Sequence, residues 1–181
     1  VTEIFSRIPG TTTPNPVRRF YRMDFGPESG ISANVPPQRG SNYPILVSAV
    51  DQDGNELAGI QMPLISVPLA SYTGWSLRHA NIGGTGQTLA SGGATGGTLL
   101  GSTIPFPATR EEREATGDPR LSIEERYASK DSYLDQISQA AKQLIDQNYM
   151  LSEDLDRVIE QASEHYDELS SRVRQTQAAD D

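Results

Sequence analysis

Residues 121–181 have the sequence LSIEERYASKDSYLDQISQAAKQLIDQNYMLSEDLDRVIEQASEHYDELSSRVRQTQAADD, which contains neither glycine nor proline. Those two residues destabilise a helix interior most, so a stretch of this length without them favours helices. Ser122 and Glu125 have the spacing of a capping box, which predicts that a helix begins there. Apolar residues then recur at helical spacing in two runs. They are Leu134, Ile137, Ala141, Leu144 and Ile145 in the first run, and Leu155, Val158, Ile159, Ala162, Tyr166, Leu169 and Val173 in the second.

The connection between the two runs is short and has the residues of a helix end followed by a helix start. Asn148 is typical of a left-handed helix stop, and Ser152 predicts the cap of a second helix. A short connection between two amphipathic helices indicates an antiparallel hairpin. The apolar stripes are wider than one helix pair can cover, so we expect the hairpin to pack against another body.

The composition changes sharply near residues 118–120. All 16 glycines and all 12 prolines of the chain lie in residues 1–120. We therefore divide the chain into a β- and loop-rich segment, 1–120, and a helical hairpin with a frayed tail, 121–181. The predicted fold class is α+β: a β-hairpin and loop-rich first half, followed by the antiparallel helical hairpin.

Within the first half, hydrophobic alternation and turn residues predict extended elements. Residues 18–25 alternate in part and indicate a strand that ends at a Gly-Pro pair. Residues 43–50 are a stronger strand, residues 51–55 have the composition of a tight turn, and residues 56–62 continue as a return strand. Residues 63–69 are apolar and bracketed by prolines, which favours an edge strand or an extended packing segment.

Composition excludes several classes of function. The formal net charge is −9, which disfavours binding to phosphate backbones, so we expect no nucleic acid partner. The chain has no cysteine, which excludes disulfides, thiolate zinc sites, iron–sulfur clusters and a cysteine nucleophile. No apolar run reaches the length of a membrane helix. We also expect neither a metal nor a cofactor. The N-terminus has no signal-peptide pattern and no initiator Met, and we expect a mature or truncated product, or the later part of a longer chain.

The catalytic motifs of serine hydrolases are incomplete in this sequence. Gly-x-Ser-x-Gly and Ser-x-x-Lys are both absent, and the chain has two histidines, His79 and His165. We interpret His165 as a solvated helix residue. His79 is the one weak candidate for catalysis, because it precedes the glycine-rich stretch 83–97, but no partner for it is visible.

Two further patterns favour plain structural explanations. Residues 51–56 are rich in acidic and amide side chains, but the register of a calcium loop is missing, so a hairpin turn is favoured. Residues 83–88 contain closely spaced glycines without the lysine of a phosphate loop, which favours a flexible loop. Phe106 lies between two prolines, and we expect it to be a buried anchor.

Several longer stretches carry a resemblance to a known family. They are VDQDGNELAGI (50–60), VPLASYTGWSLR (67–78), GSTIPF (101–106), TREERE (109–114) and GDPRLSIEERY (117–127). Together they resemble the C-terminal region of a bacterial family, the alpha/beta hydrolase domain-containing proteins. The resemblance extends from about Phe5 to Asp167 and includes the helical hairpin.

This resemblance implies the C-terminal part of an α/β-hydrolase fold and a serine hydrolase acting on esters or related acyl compounds. The nucleophile elbow would lie upstream, outside this chain, and residues 1–120 would pack on the hydrolase core. Tyr72 and Trp75, with the stretch 83–97, are the expected contributors to a substrate pocket. The implied partners are an upstream hydrolase domain or companion chain and a small ester substrate. The resemblance and the missing initiator Met are compatible with a periplasmic or secreted bacterial protein, but the sequence does not fix the location.

Two other functions compete with this interpretation. One is a non-catalytic interaction subunit that binds a partner chain through its apolar helical stripes. The other is a self-sufficient enzyme, which requires Ser76 or Ser91 to contact His79 and an acid. A companion chain that carries Gly-x-Ser-x-Gly would favour the hydrolase.

Overall fold

The computed structural model describes residues 2–9, 21–28, 31–43, 48–74, 76 and 101–177. A short helix, α1, spans Thr2–Phe5. Strands β1 (Tyr21–Asp24) and β2 (Gln38–Asn42) form an antiparallel pair, in which Tyr21 lies opposite Asn42. The strand predicted at 18–25 is thus confirmed for its described part. Almost every residue of this pair is exposed, so it adds little to the core.

The hairpin predicted over residues 43–62 is wrong for the described residues of that range. It is reduced to a single bridge between Val50 and Glu56, around the predicted tight turn at residues 51–55. That turn is confirmed, with Gly54 at a φ of 87° that favours glycine. Leu57 and Ile60 are 58% and 56% exposed. Hydrophobic alternation gave a wrong strand prediction here because, in the described part of the chain, no sheet surface covers these side chains.

The edge strand predicted at residues 63–69 is also wrong. Residues Pro63–Ser66 form the short helix α2, with Pro63 in its first turn. The amide of Val67 donates to the Pro63 carbonyl at 2.9 Å. A proline fixes a φ that suits the first helical position, so the same residue that marks an edge strand also begins a helix.

The described part of the chain contains a second pair of strands, which lies at its centre. Strand β3 (Ala70–Thr73) runs antiparallel to β4 (Ser102–Pro105), with Ala70 opposite Pro105 and Thr73 opposite Ser102. The amide of Phe106 donates to the Leu69 carbonyl at 3.0 Å and extends the pairing. Three of the four β3 residues are buried, so this strand runs through the core.

Helix α3 (Arg110–Thr116) begins at Thr109, whose hydroxyl accepts from the Glu112 amide, and ends at Gly117 with a φ of 69°. Helix α4 (Ile123–Arg126) has the predicted capping box. The Ser122 hydroxyl accepts from the Glu125 amide, while the Glu125 carboxylate accepts from the Ser122 amide at 3.0 Å. These caps stabilise two helices that are too short to form alone.

The predicted helical hairpin consists of α5 (Lys130–Asp146) and α6 (Leu155–Gln177). Lys130 at the start of α5 pairs with Asp167 late in α6 at 2.6 Å, which shows that the helices are antiparallel. Asn148 has the predicted left-handed conformation, with a φ of 61°. Ser152 is not the cap of α6, because it begins a 3₁₀ turn, Ser152–Asp154, that precedes the helix. The predicted α+β fold class is confirmed.

The main core lies between the central strand pair, α4 and the hairpin. Its apolar residues come from both halves of the sequence. The buried members are Val67, Leu69, Ala70, Phe106, Ile123, Tyr127, Tyr133, Ile137, Ala162 and Leu169. The buried Phe106 confirms the anchor expected between its two prolines, and the hairpin packs against β3 through this core.

Candidate functional site

The backbone of β3 at Tyr72 is fixed by a side chain from the turn at residues 51–55. Asn55, only 1% exposed, accepts from the Tyr72 amide through Oδ1 at 2.7 Å and donates from Nδ2 to the Ala70 carbonyl at 3.1 Å. Its amide group thus pairs with β3 as a neighbouring strand would. The turn holds Asn55 in place, because Asp51 Oδ1 accepts from the Asn55 amide at 2.9 Å.

The phenol end of Tyr72 is hydrogen-bonded to α6. The Tyr72 hydroxyl lies 3.0 Å from His165 Nε2, and the two ring centroids are 6.3 Å apart. The interpretation of His165 as a solvated helix residue is therefore wrong, since the residue is half-buried. A sequence signal for this contact existed: Ala162 and Leu169 lie three and four residues away on the buried stripe, and helical periodicity places His165 beside them.

Three more tyrosines adjoin this pair. We call Tyr72, Tyr127, Tyr133, Tyr166 and His165 the aromatic cluster. The rings of Tyr127 and Tyr133 meet edge to face at 5.0 Å, and those of Tyr133 and Tyr166 lie 5.3 Å apart. The Tyr127 hydroxyl donates to the Pro68 carbonyl at 2.8 Å. The Tyr133 hydroxyl is buried and has no hydrogen-bond partner in the described structure.

Burial controls the ionisation of these phenols. Loss of solvation raises the pKa of Tyr72 to about 12, and it raises the pKa of Tyr127 to about 12 as well. The same cause raises the pKa of Tyr133 further. The three phenols therefore keep their protons at neutral pH, and Tyr72 and Tyr127 act as hydrogen-bonding groups rather than as bases.

A buried arginine supports the other end of β3. Arg120 is 2% exposed, and its five N–H donors are all engaged. Nε and Nη2 bond the two Asp118 oxygens at 3.0 and 2.6 Å, Nη2 also donates to the Pro105 carbonyl at 3.0 Å, and Nη1 donates to Ser71 Oγ and the Ile104 carbonyl, both at 2.9 Å. Arg120 thus has no donor left for a substrate anion and acts as a structural group.

A second ion pair joins Arg126 to Asp53, close to Ser71 of β3. Arg126 donates from Nη1 and Nη2 to the Asp53 carboxylate at 2.9 and 2.5 Å, and its guanidinium lies 4.1 Å from the centre of the Phe106 ring. The Ser71 hydroxyl donates to the Asp53 carbonyl. Because the Asp53 carboxylate is paired with Arg126, the acidic residues of the turn have a structural role. Among the described residues, no group of histidine and acidic side chains is arranged to hold a metal ion.

Of the residues singled out for function, the structure describes Tyr72, placed in the aromatic cluster, and Ser76, which is half-buried. Trp75, His79, Ser91 and the glycine-rich stretch 83–97 lie outside the described residues. Within the described ranges, no hydrogen bond joins Ser76 to a histidine. None of the helices in those ranges is long and apolar enough to cross a membrane.

A family model described as "Alpha/beta hydrolase domain" matches residues 10–160. The chain belongs to the alpha/beta hydrolase domain family. This confirms the resemblance found in the sequence and agrees with the mixed architecture of the fold. Neither a curated protein nor a solved structure matches the chain. Within the family-matched range lie the turn at 51–55, the central strand pair, α4 and α5.

Proposed function

We propose that this chain is the C-terminal section of a serine α/β-hydrolase acting on esters or related acyl compounds. The family match over residues 10–160 of the 181-residue sequence carries the proposal. The sequence itself has no Gly-x-Ser-x-Gly, and we therefore propose that the nucleophile elbow lies outside these residues. Residues 1–120 would then pack on the hydrolase core, and residues 121–181 would add the helical hairpin to it.

The proposed chemistry is acyl transfer through a serine. The serine oxygen attacks the acyl carbon and its proton passes to a histidine, which returns a proton to the departing alcohol. Water then releases the acid by the reverse exchange, while backbone amides stabilise the oxyanion. His79 is the residue of this chain that we propose for a catalytic role. Tyr72 and Trp75 are proposed to border the substrate.

Covalent labelling of the full-length protein tests this assignment. A fluorophosphonate reacts with an activated serine, and peptide mapping then locates the modified residue. We expect one labelled serine, in a Gly-x-Ser-x-Gly sequence outside residues 1–181, and loss of labelling when that serine is changed to alanine. Label on Ser76 or Ser91 would show that the nucleophile lies in this chain. A protein that takes up no label at all, although folded, would overturn the serine hydrolase proposal.

One observation favours the alternative of an interaction subunit. The apolar stripe of α6 packs into the core of this chain, but a groove of about 500 Å³ lies between the C-terminal half of α5 and residues 57–66 and has exposed apolar side chains among polar ones in its lining. Leu57, Ile60 and Tyr149 line it and are each more than half exposed. Native mass spectrometry combined with the label separates the two functions, because a stable partner that also takes up no label would favour the subunit, whereas a labelled partner would favour the hydrolase.

A further inference from the structure

Both the backbone amide and the side-chain hydroxyl of Tyr72 are hydrogen-bonded to groups from distant parts of the chain. Asn55 Oδ1 accepts from its amide at 2.7 Å, and its hydroxyl lies 3.0 Å from His165 Nε2. A phenol fixed in this way has lost its rotational freedom before any ligand arrives. Such pre-organisation lowers the entropic cost of binding and is typical of residues that orient a substrate.

The pair lies at the margin of the core rather than inside it. Ser71 and Thr73, the neighbours of Tyr72 on β3, are buried, whereas Tyr72 and His165 are half-buried. Tyr133, the next member of the aromatic cluster, is fully buried. Tyr72 and His165 are therefore accessible to a ligand, whereas Tyr133 is not.

We propose that His165 is a positioning residue, which acts through the Tyr72 hydroxyl to orient this phenol toward a polar oxygen of the ester substrate. The inference rests on the proposed function, since it assigns a role within the same substrate site. Tyr72 keeps its proton because burial raises its pKa to about 12. Its hydroxyl thus has one O–H and two lone pairs, and the bond to His165 occupies one of these positions. A hydrogen bond with the Leu69 backbone occupies a second position, and the third is available to a substrate oxygen or hydroxyl.

This role predicts a specific kinetic pattern in the full-length enzyme. We expect Tyr72→Phe and His165→Ala each to raise KM for a short-chain nitrophenyl ester about fivefold, the effect of one neutral hydrogen bond, with kcat changed less than twofold. His165→Gln should restore most of the lost affinity, because its amide can hydrogen-bond near the position of Nε2. The double variant Tyr72→Phe/His165→Ala should be no worse than Tyr72→Phe alone.

Controls separate positioning from a general loss of structure. Glu164→Gln changes the exposed neighbour of His165 on α6 and should leave KM and kcat unchanged. Should His165→Ala fail to fold, Tyr72→Phe and His165→Gln give the same comparison with smaller changes in volume. Unchanged KM values in both Tyr72→Phe and His165→Ala, in an enzyme that hydrolyses the ester and takes up the fluorophosphonate, would overturn the positioning role alone. A wild-type protein with neither turnover nor label would overturn the proposed function together with this inference.

Discussion

Removing the hydroxyl oxygen of Tyr127 and removing that of Tyr133 should change stability in opposite directions, although the two rings are in contact. The Tyr127 hydroxyl donates to the Pro68 carbonyl at 2.8 Å, whereas the Tyr133 hydroxyl is buried without a partner in the described structure. A buried polar group without a hydrogen bond costs about 1–3 kcal/mol, and a satisfied hydrogen bond contributes about 1 kcal/mol net. We therefore expect Tyr133→Phe to raise the free energy of unfolding by about 1 kcal/mol, and Tyr127→Phe to lower it by about 1–2 kcal/mol.

The comparison is well matched because both rings belong to the aromatic cluster and both variants keep their rings in place. Urea unfolding followed by circular dichroism measures each free energy of unfolding, and equal slopes against urea would show that the unfolded states are comparable. The two variants should differ by about 2–3 kcal/mol. If Tyr133→Phe destabilised the protein as much as Tyr127→Phe, the Tyr133 hydroxyl would have to be hydrogen-bonded, and the argument would be refuted.

Three further predictions concern the charged and titrating groups. Replacing Arg120, whose donors are all hydrogen-bonded, with Met should lower the free energy of unfolding by about 3–5 kcal/mol. Arg157→Met, at an exposed ion pair, should lower it by less than about 1 kcal/mol. Equal losses in urea unfolding would contradict the buried arrangement of Arg120. Hydrogen bonds from Ser122 and Arg113 lower the pKa of Glu125 to about 2, so its stabilising contribution is complete above pH 4.5 and is lost as the pH falls toward 2. A carboxyl NMR titration with a midpoint near 4.5 would disprove this. The raised pKa values of the half-buried Tyr72 and the buried Tyr127 predict that stability is full below pH 10 and is lost as the pH rises toward 12. Tyrosinate absorbance should then appear late and together with unfolding.

The parts of the fold that were predictable depend on signals within a few residues of one another. The capping box at Ser122, the left-handed stop at Asn148 and the turn at residues 51–55 each need only a local side chain or backbone preference. The helical hairpin follows from apolar spacing along each helix. None of these features requires knowledge of the distant partner that finally packs against it.

The central strand pair was missed because nothing local identifies it. Each strand has four residues, several of them Ser or Thr, and Thr73 and its partner Ser102 are 29 positions apart in the chain. The contact between Tyr72 and His165 is more distant still, at 93 positions. Pairing at such separations is decided by the whole core rather than by the strand sequences.

The candidate site was predictable only in part for the same reason. A family resemblance singles out Tyr72, while the sequence pattern alone predicts that its partner on α6 is a solvated residue. Helical spacing places His165 beside the buried Ala162 and Leu169, but spacing alone does not say what lies opposite. That answer comes from β3, which the sequence did not reveal as a strand.

The environment of Arg120 has a consequence for limited digestion by trypsin. Trypsin must draw an arginine side chain into a deep acidic pocket before it can cut the following bond. The Arg120 side chain is 2% exposed, whereas the side chains of Arg110 and Arg157 are 68% and 67% exposed. The bond between Arg120 and Leu121 joins the proline-containing half to the helical half. From the sequence alone, trypsin would be expected to cut at this arginine. In the folded protein this bond should be among the last that trypsin cuts, after the core has opened.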